Sequence, residues 1–208
     1  MDIDPRSVAR LRRRLAPATP GVVVLQADAL SVPLDRRIIA GNIPYHLTTP
    51  ILRRLLASGQ WQDAVLLTQW EVARKRAGVG GGTMLTAQSA PWFEFALHCR
   101  VPASGFRPQP GVDGGVLTVQ RRPVPLVEPG DRTCYSRFVK DVFTGPGSGL
   151  EAVLAGVLGG PRTARSALAA AGIPRGCLPR DVPPTLWPIL WREVCSRGVP
   201  RAGRRVRG

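Results

Sequence analysis

The sequence predicts an α/β domain followed by a small helical domain, and three observations support this. Short apolar runs typical of buried strands occur at residues 22–25, 38–40 and 64–67, and helix-length patterns occur between such segments. Residues 93–101 alternate between apolar and polar side chains, which indicates a half-buried strand. After residue 122 every periodic pattern is helical. We therefore expect a mainly parallel sheet with an antiparallel pair at its C-terminal end.

The composition is that of a globular, strongly basic protein. Of its 208 residues, 44% are hydrophobic and 21% are charged, and the net charge is +15. Lys75 and Lys140 are the only lysines, so arginine supplies almost all of the positive charge. Arginine is suited to phosphates and bases, which favours a nucleic-acid partner. Codon bias in a GC-rich genome is the alternative explanation.

Cysteine usage and hydropathy indicate the compartment. Four scattered cysteines (Cys99, Cys134, Cys177 and Cys195) form no Cys-x-x-Cys pair, so we expect neither a metal site nor a disulfide framework. No apolar run approaches the ~20 residues that span a bilayer, and the N-terminus lacks the features of a signal peptide. The expected protein is a cytoplasmic monomer without a membrane partner.

The N-terminal segment predicts a surface helix over residues 5–15. Asp4 is suited to the N-cap and Pro5 to the first helical position, while Pro17 and Pro20 end the pattern. Apolar side chains recur on one face, and arginines occupy the rest as a solvated surface.

The middle of the chain continues the α/β pattern. A helix is predicted from Thr49 to about Ser58, and a second one covers residues 71–76. A glycine cluster at residues 78–82 predicts a mobile loop. Residues 115–120 are rich in Val, Leu and Thr, which indicates another strand.

A change of composition near residue 122 predicts a domain boundary. We assign residues 1–122 to the α/β domain, 123–200 to a helical domain and 201–208 to a basic tail. The helical domain contains four predicted helices, at residues 135–143, 150–158, 163–171 and 186–195.

Three polar sites are candidates for the strand ends where sheets of this type bind ligands, two of them directly after apolar segments and one at the acidic start of the chain. Asp2, Asp28 and the stretch Asn42-Ile43-Pro44-Tyr45 are the candidates. An Asn-x-Pro-aromatic sequence suits an exocyclic amine, because the amide and the proline carbonyl can accept its hydrogen bonds while the ring stacks on the base. Considered alone, Asp28 is as readily a turn residue, and Asp2 a solvated acid.

Several segments together resemble the ribosomal RNA adenine N6-methyltransferases, and the macrolide-resistance (Erm-type) branch in particular. Asn42–Tyr45 matches the catalytic motif of that family, and Phe106–Asp113 matches its Phe-x-Pro-x-Pro-x-Val-Asp sequence. Residues 1–6, 27–30 and 68–76 are similar to three further family segments. The resemblance implies a Rossmann-like class I methyltransferase sheet that lacks its first strand and glycine loop.

The resemblance also implies roles for individual residues. By this match Asp2 binds the ribose of S-adenosylmethionine and Ile3 packs on its adenine, while Asp28, with Ala29, binds the adenine amine. Asn42 adjoins the same cofactor.

For the RNA substrate, the resemblance places Asn42, Ile43, Pro44 and Tyr45 around the target adenine and Phe106 on its other side. Basic residues beside the site are the candidate phosphate contacts, namely Arg74, Lys75, Arg76 and Arg107.

The leading hypothesis is therefore S-adenosylmethionine-dependent N6-methylation of an adenine in 23S rRNA, which confers resistance to macrolides, lincosamides and streptogramins. One alternative is the small-subunit rRNA adenine dimethyltransferase. Another is a truncated RNA-binding member without turnover, because no glycine turn precedes Asp2 and weak cofactor binding is then expected.

Overall fold

A mixed four-stranded sheet and eight α-helices make up the part of the chain that the structure, a computed structural model, describes: residues 1–15, 19 and 21–197. Pro17, Pro20 and the predicted tail at 201–208 lie outside the described residues. The strands are β1 (Ile38–Asn42), β2 (Asp63–Gln69), β3 (Phe93–Val101) and β4 (Gly114–Arg121).

The strand order is β1-β2-β4-β3. β1 and β2 are parallel, whereas β4 is antiparallel to both β2 and β3. The sheet thus combines a parallel pair with an antiparallel C-terminal portion, as the sequence predicts. The two central strands provide the buried apolar side chains Ala64, Leu66, Leu117 and Val119.

The helices begin and end close to their predicted positions. Asp4 caps α1, because its carboxylate accepts from the amides of Arg6 and Ser7 at 3.0 and 3.1 Å. The helices are α1 (Pro5–Leu15), α2 (Thr48–Ala57), α3 (Trp70–Arg76), α4 (Met84–Ser89), α5 (Arg132–Thr144), α6 (Leu150–Leu158), α7 (Pro161–Ala170) and α8 (Trp187–Ser196).

The prediction of a buried strand at residues 22–25 is wrong. Val23 is 76% exposed, and the segment makes only an isolated bridge between Gln26 and Asp2. Apolar residues form a buried strand only where neighbouring strands and helices cover them. Within the described residues, this segment has only the single bridge between Gln26 and Asp2. Similarly, β1 forms but is an edge strand, so Ile38 is 63% exposed instead of buried.

Helix α4 was not predicted, because six residues are too few to show a helical period. Its N-cap is Thr83, whose hydroxyl accepts from the amide of Thr86 at 3.2 Å. The preceding glycine loop is anchored to the C-terminal region, since the Gly82 amide donates to the Arg180 carbonyl at 2.6 Å.

One apolar core extends across the boundary predicted at residues 122–123. Tyr135 of α5 is fully buried, and its ring meets the edges or faces of Trp92 and Trp191 at centroid distances of 5.6 and 5.8 Å. Its hydroxyl donates to the Ala87 carbonyl of α4 at 2.7 Å, and burial raises the pKa of Tyr135. The sheet-bearing and helical regions are therefore joined by a buried polar contact as well as by apolar packing.

Within the described residues, no helix has the length and apolarity required to cross a bilayer.

The two tyrosines of the protein allow a matched test of the core. Tyr135→Phe leaves the buried Ala87 carbonyl without its donor, so we expect the free energy of unfolding to fall by about 1–3 kcal/mol. Tyr45→Phe removes a buried hydroxyl that has no hydrogen-bond partner in the described structure, so its stability should equal or exceed that of the wild type. Urea unfolding followed by tryptophan fluorescence measures both. Equal destabilisation by the two substitutions would contradict this account.

Candidate active site

A pocket of about 320 Å³ brings together the two sequence segments that predict the chemistry. One side consists of Asn42, Ile43, Pro44 and Tyr45, and the other side of the loop that begins at Phe106. Although 60 residues lie between Tyr45 and Phe106 along the chain, the fold brings both to one pocket. The pocket also contains Arg107, Pro108 and Pro110.

The register of the sheet explains why they meet. Asn42, at the end of β1, pairs with Leu67 of β2, and Gly114, at the start of β4, pairs with Gln69. The parallel neighbour β1 ends, and the antiparallel neighbour β4 begins, at the same edge of the sheet. Both segments therefore emerge beside the C-terminal end of β2. Two strand spacings separate them by about 10 Å, which leaves room for a planar ring between them.

The turn after Asn42 is held in place by β2 and α2. The Ile43 amide donates to the Leu67 carbonyl at 2.9 Å, which extends the parallel ladder past the last residue of β1. The Thr48 hydroxyl hydrogen-bonds both the Tyr45 carbonyl at 3.1 Å and the buried Thr68 hydroxyl at 2.7 Å. Sequence reasoning missed Thr48 and Thr68, because their role depends on a contact between residues twenty positions apart.

The polar groups of this turn retain capacity for a ligand. Asn42 is exposed, so its side-chain amide is accessible. The Pro44 carbonyl accepts from the Leu47 amide at 2.8 Å, and a carbonyl oxygen has a second lone pair. These two acceptors at one side of a pocket suit a ligand that carries two N–H groups on one atom.

Asp113 fixes the opposite loop. Its carboxylate accepts from the Ala103 amide at 2.8 Å and from the Arg100 guanidinium at 2.6 Å, and its carbonyl accepts from the Trp70 amide at 2.9 Å. The hydrogen bond from Ala103 and then the one from Arg100 hold the pKa of Asp113 below the usual value. Asp113, the last residue of the Phe-x-Pro-x-Pro-x-Val-Asp sequence, therefore holds the loop that carries Phe106 in position.

Gly114 provides the surface on which Phe106 lies. A Cβ at Gly114 would approach the Phe106 ring to 2.9 Å and a Leu67 methyl to 3.1 Å, closer than packed atoms tolerate. The ring can occupy this position only because residue 114 has no side chain. Sequence reasoning did not identify Gly114, although a Gly-Gly pair directly after Asp113 was the available signal.

Of the predicted cofactor residues, Asn42 lines this pocket, whereas Asp2, Ile3, Asp28 and Ala29 lie together outside it. The amide and carbonyl of Asp2 hydrogen-bond Leu25 and Ala27 at 3.1 and 3.0 Å, which brings Asp2 close to Asp28 and Ala29 along the chain. One carboxylate oxygen of Asp28 accepts from the Leu30 amide at 2.8 Å, as in a turn.

These residues fit the adenosine part of a nucleotide-like cofactor. Ile3 is 66% exposed and offers an apolar surface, and the carboxylates of Asp2 and Asp28 each have an oxygen without a partner in the described residues. Arg54 holds the adjoining loop by donating to the carbonyls of Ala29 and Val32.

The predicted RNA-contact residues differ in their surroundings. Arg74 pairs with Glu71 at 3.3 Å and lies beneath Gly80, and Lys75 is exposed. Arg76 is partly buried and donates to Thr83 and Thr49. Arg107 is exposed at the pocket and donates to the carbonyls of Ser104 and Phe106 in its own loop.

A larger cleft of about 820 Å³ lies at the opposite end of the sheet, and its charged groups other than Arg37 have partners within the described residues. Arg121 donates to the carbonyls of Trp61 and Ser58 and stacks on aromatic rings, and Arg122 pairs with Glu94. The smaller pocket, and not this cleft, contains the residues of the two motif segments.

The loop should loosen at acid pH because of Asp113. A carboxyl whose folded pKa is depressed contributes stability above its unfolded pKa and loses it as the pH falls through the folded pKa. We expect the Asp113 carboxyl carbon to titrate with a midpoint below 3.8 in an NMR experiment. Arg100→Gln, which removes one donor, should raise the midpoint. A midpoint at or above 3.8 in the wild type would show that the two hydrogen bonds do not stabilise the ionised form.

Comparisons with known proteins agree with this geometry. The profile of the family described as ribosomal RNA adenine dimethylase matches residues 1–173. Mycinamicin-resistance protein MyrB of Micromonospora griseorubida is 46% identical across 100% of this chain and 67% of its own length. An rRNA adenine N-6-methyltransferase of Corynebacterium diphtheriae is 47% identical across 74% of this chain and 61% of its own length.

Solved structures include a similar fold. The crystal structure of the 23S rRNA methyltransferase ErmE superposes with a TM-score of 0.85 at 33% identity, and the match covers 93% of this chain and 80% of that one. The chain thus spans roughly three fifths to two thirds of the two curated relatives and four fifths of the solved structure. Because a family profile covers most of its length and these relatives are similar in both sequence and fold, the chain belongs to the ribosomal RNA adenine dimethylase family.

Proposed function

We propose that this protein transfers a methyl group from S-adenosylmethionine to the N6 atom of an adenine in 23S rRNA and thereby confers resistance to macrolides and related antibiotics. The observation that carries the proposal is the pocket in which Asn42–Tyr45 faces Phe106. Relatives named as a mycinamicin-resistance protein and a 23S rRNA methyltransferase support the choice of RNA and the resistance outcome. The cytoplasm, where ribosomal RNA is found, is the expected location.

The reaction requires the protein to activate a poor nucleophile, the exocyclic amine of adenine. The lone pair of an adenine amine is delocalised into the ring, and hydrogen bonds to the Asn42 side chain and the Pro44 carbonyl favour a more tetrahedral nitrogen. S-adenosylmethionine supplies an electrophilic sulfonium methyl group when it is bound. As the N–C bond forms, the C–S bond would break and S-adenosylhomocysteine would leave; the methylated nitrogen is then acidic enough to lose its proton to water, so no strong base is required. Orientation can contribute about 7–11 kcal/mol in favourable cases.

Holding the base outside the RNA stack is the second task. Unstacking an adenine costs a few kcal/mol, and contact with an aromatic ring returns about 1–3 kcal/mol per base. Tyr45 and Phe106 both line the pocket, and in this proposal they would contact the two faces of one base. Asp2, Ile3, Asp28 and Ala29 would hold the adenosine part of the cofactor, while Lys75 and Arg107 are exposed for contact with RNA phosphates.

A methyl-transfer assay tests the function directly. We expect label from S-adenosylmethionine to enter protein-free 23S rRNA and to appear as N6-methylated adenosine after nuclease digestion. Asn42→Ala should lower kcat by about 100-fold or more, as for other losses of one preorganised hydrogen-bonding group. Transfer to 16S rRNA instead of 23S rRNA would assign the small-subunit activity, and absence of transfer to either would contradict the proposal.

The position of Phe106 can be tested through its glycine support. Gly114→Ala introduces a methyl group that collides with the Phe106 ring, so we expect kcat/KM for methyl transfer to fall about 10-fold, as for loss of one stacking contact. Gly111→Ala is the matched control, because a Cβ there meets no atom within 4 Å. Unfolding midpoints of the two variants separate a local effect from global destabilisation. Equal activity in both variants would show that the position of the Phe106 ring against Gly114 does not affect methyl transfer.

A further inference from the structure

Arg76, the last residue of α3, is a partly buried cation without a counter-ion. Its two terminal nitrogens donate to neutral hydroxyls, to Thr83 at 2.6 Å and to Thr49 at 3.3 Å. Its Nε is buried and has no hydrogen-bond partner. No carboxylate within ion-pair distance of Arg76 occurs among the residues that the structure describes.

A second cation, Arg53, makes this arrangement less favourable. Burial, and then repulsion from Arg53, lower the pKa of Arg76, yet a guanidinium remains protonated at every physiological pH. Arg53 is exposed on α2, one turn after Thr49, and likewise forms no ion pair with any described residue. Two close cations, one of them partly desolvated, create a site where an anion is strongly favoured.

The two hydroxyl groups that accept from Arg76 differ in how many further hydrogen bonds they can form. Thr83 is occupied, because it contacts the amide and the hydroxyl of Thr86 in addition to Arg76. It therefore positions the guanidinium. Among the described residues Thr49 accepts only from Arg76, so its own hydrogen remains available for an acceptor. Arg53, Arg76 and Thr49 thus present donors and no acceptor carboxylate, as phosphate recognition requires.

This cluster is close to the base pocket. Thr49 follows Tyr45 by four residues, and Thr48 between them bonds the Tyr45 carbonyl. Helical rise places Thr49 roughly 6–8 Å along the axis from Tyr45. A strand whose adenine enters the pocket would therefore pass the Arg53–Arg76 cluster with its adjoining backbone.

We propose that Arg53, Arg76 and Thr49 form a binding site for a single phosphate group of the RNA strand that carries the target adenine. The inference rests on the proposed function and adds a specific positioning site to it. It distinguishes this site from Arg74, whose guanidinium pairs with Glu71 and supports the glycine loop at Gly80.

The test measures RNA binding and does not depend on methyl transfer. The probe is a fluorescein-labelled RNA hairpin with one adenosine in its loop, titrated by anisotropy at several salt concentrations. We expect Arg53→Gln to weaken binding about 3–10-fold and to reduce the slope of log K against log salt by about 0.7–0.9, the contribution of one phosphate contact. Arg14→Gln, which removes one exposed charge from α1, should leave both the affinity and the slope near wild type.

A second measurement identifies the individual phosphate. Hairpins with one neutral methylphosphonate at successive positions near the loop adenosine should include one position that weakens wild-type binding but leaves Arg53→Gln unaffected. Arg76→Lys keeps the positive charge but loses the guanidinium group with its two terminal donors. RNA binding by this variant should not change when the methylphosphonate is at the same position, and its unfolding midpoint shows whether it folds.

The outcomes separate this inference from the proposed function. If wild type methylates 23S rRNA but Arg53→Gln behaves like Arg14→Gln, or if no methylphosphonate position couples to Arg53, the phosphate site is overturned and the enzyme activity stands. If the hairpin scan shows coupling while methyl transfer is absent, the site stands as an RNA contact and the proposed activity is refuted. Absence of RNA binding by the wild type refutes the phosphate site.

Discussion

The C-terminal end of β2 is the constraint on which the site depends. Leu67 and Gln69 are the pairing partners of Asn42 and Gly114, so one short stretch sets the positions of both walls of the pocket. Thr68, between them, is fully buried and fixes the Tyr45 turn through Thr48. Since side chains alternate along a strand, a slip of one residue in either pairing would turn these contacts to the wrong face of the sheet. The pocket geometry is therefore a property of strand register before it is a property of any loop.

The sequence predicted the parts of the fold that depend on local pattern. The helices of the C-terminal region and strands β2 to β4 appear where periodicity placed them. The errors occur where tertiary surroundings decide, as at residues 22–25, whose apolar run has no sheet to join in the described structure. Helix α4 illustrates the opposite case, because its stability comes from the Thr83 cap and packing against α5 and not from a visible period.

The candidate site shows a similar division. A short motif predicted Asn42–Tyr45 and the family resemblance predicted Phe106, and the structure shows that both line one pocket. The residues that hold them, Thr68 and Gly114, carry no chemical signature and become visible only through distances. Asp113 lies between these cases: it belongs to a recognisable motif, but its carboxylate is bound by Ala103 and Arg100 and serves the loop. A residue can thus be part of a functional motif and still act only on structure.

The same reasoning changes how the positive charge of the protein is interpreted. Several arginines donate to backbone carbonyls: Arg12, Arg54, Arg121, Arg122 and Arg132. Their guanidinium groups hold loops and the C-terminal ends of helices, so a net charge of +15 overstates the charge available to RNA. The informative cations are those whose hydrogen-bonding capacity the protein leaves unused. By this criterion the cluster of Arg53 and Arg76 is a stronger indication of a polyanionic partner than the composition itself, because a partly desolvated cation without a counter-ion is unfavourable unless something else supplies the anion.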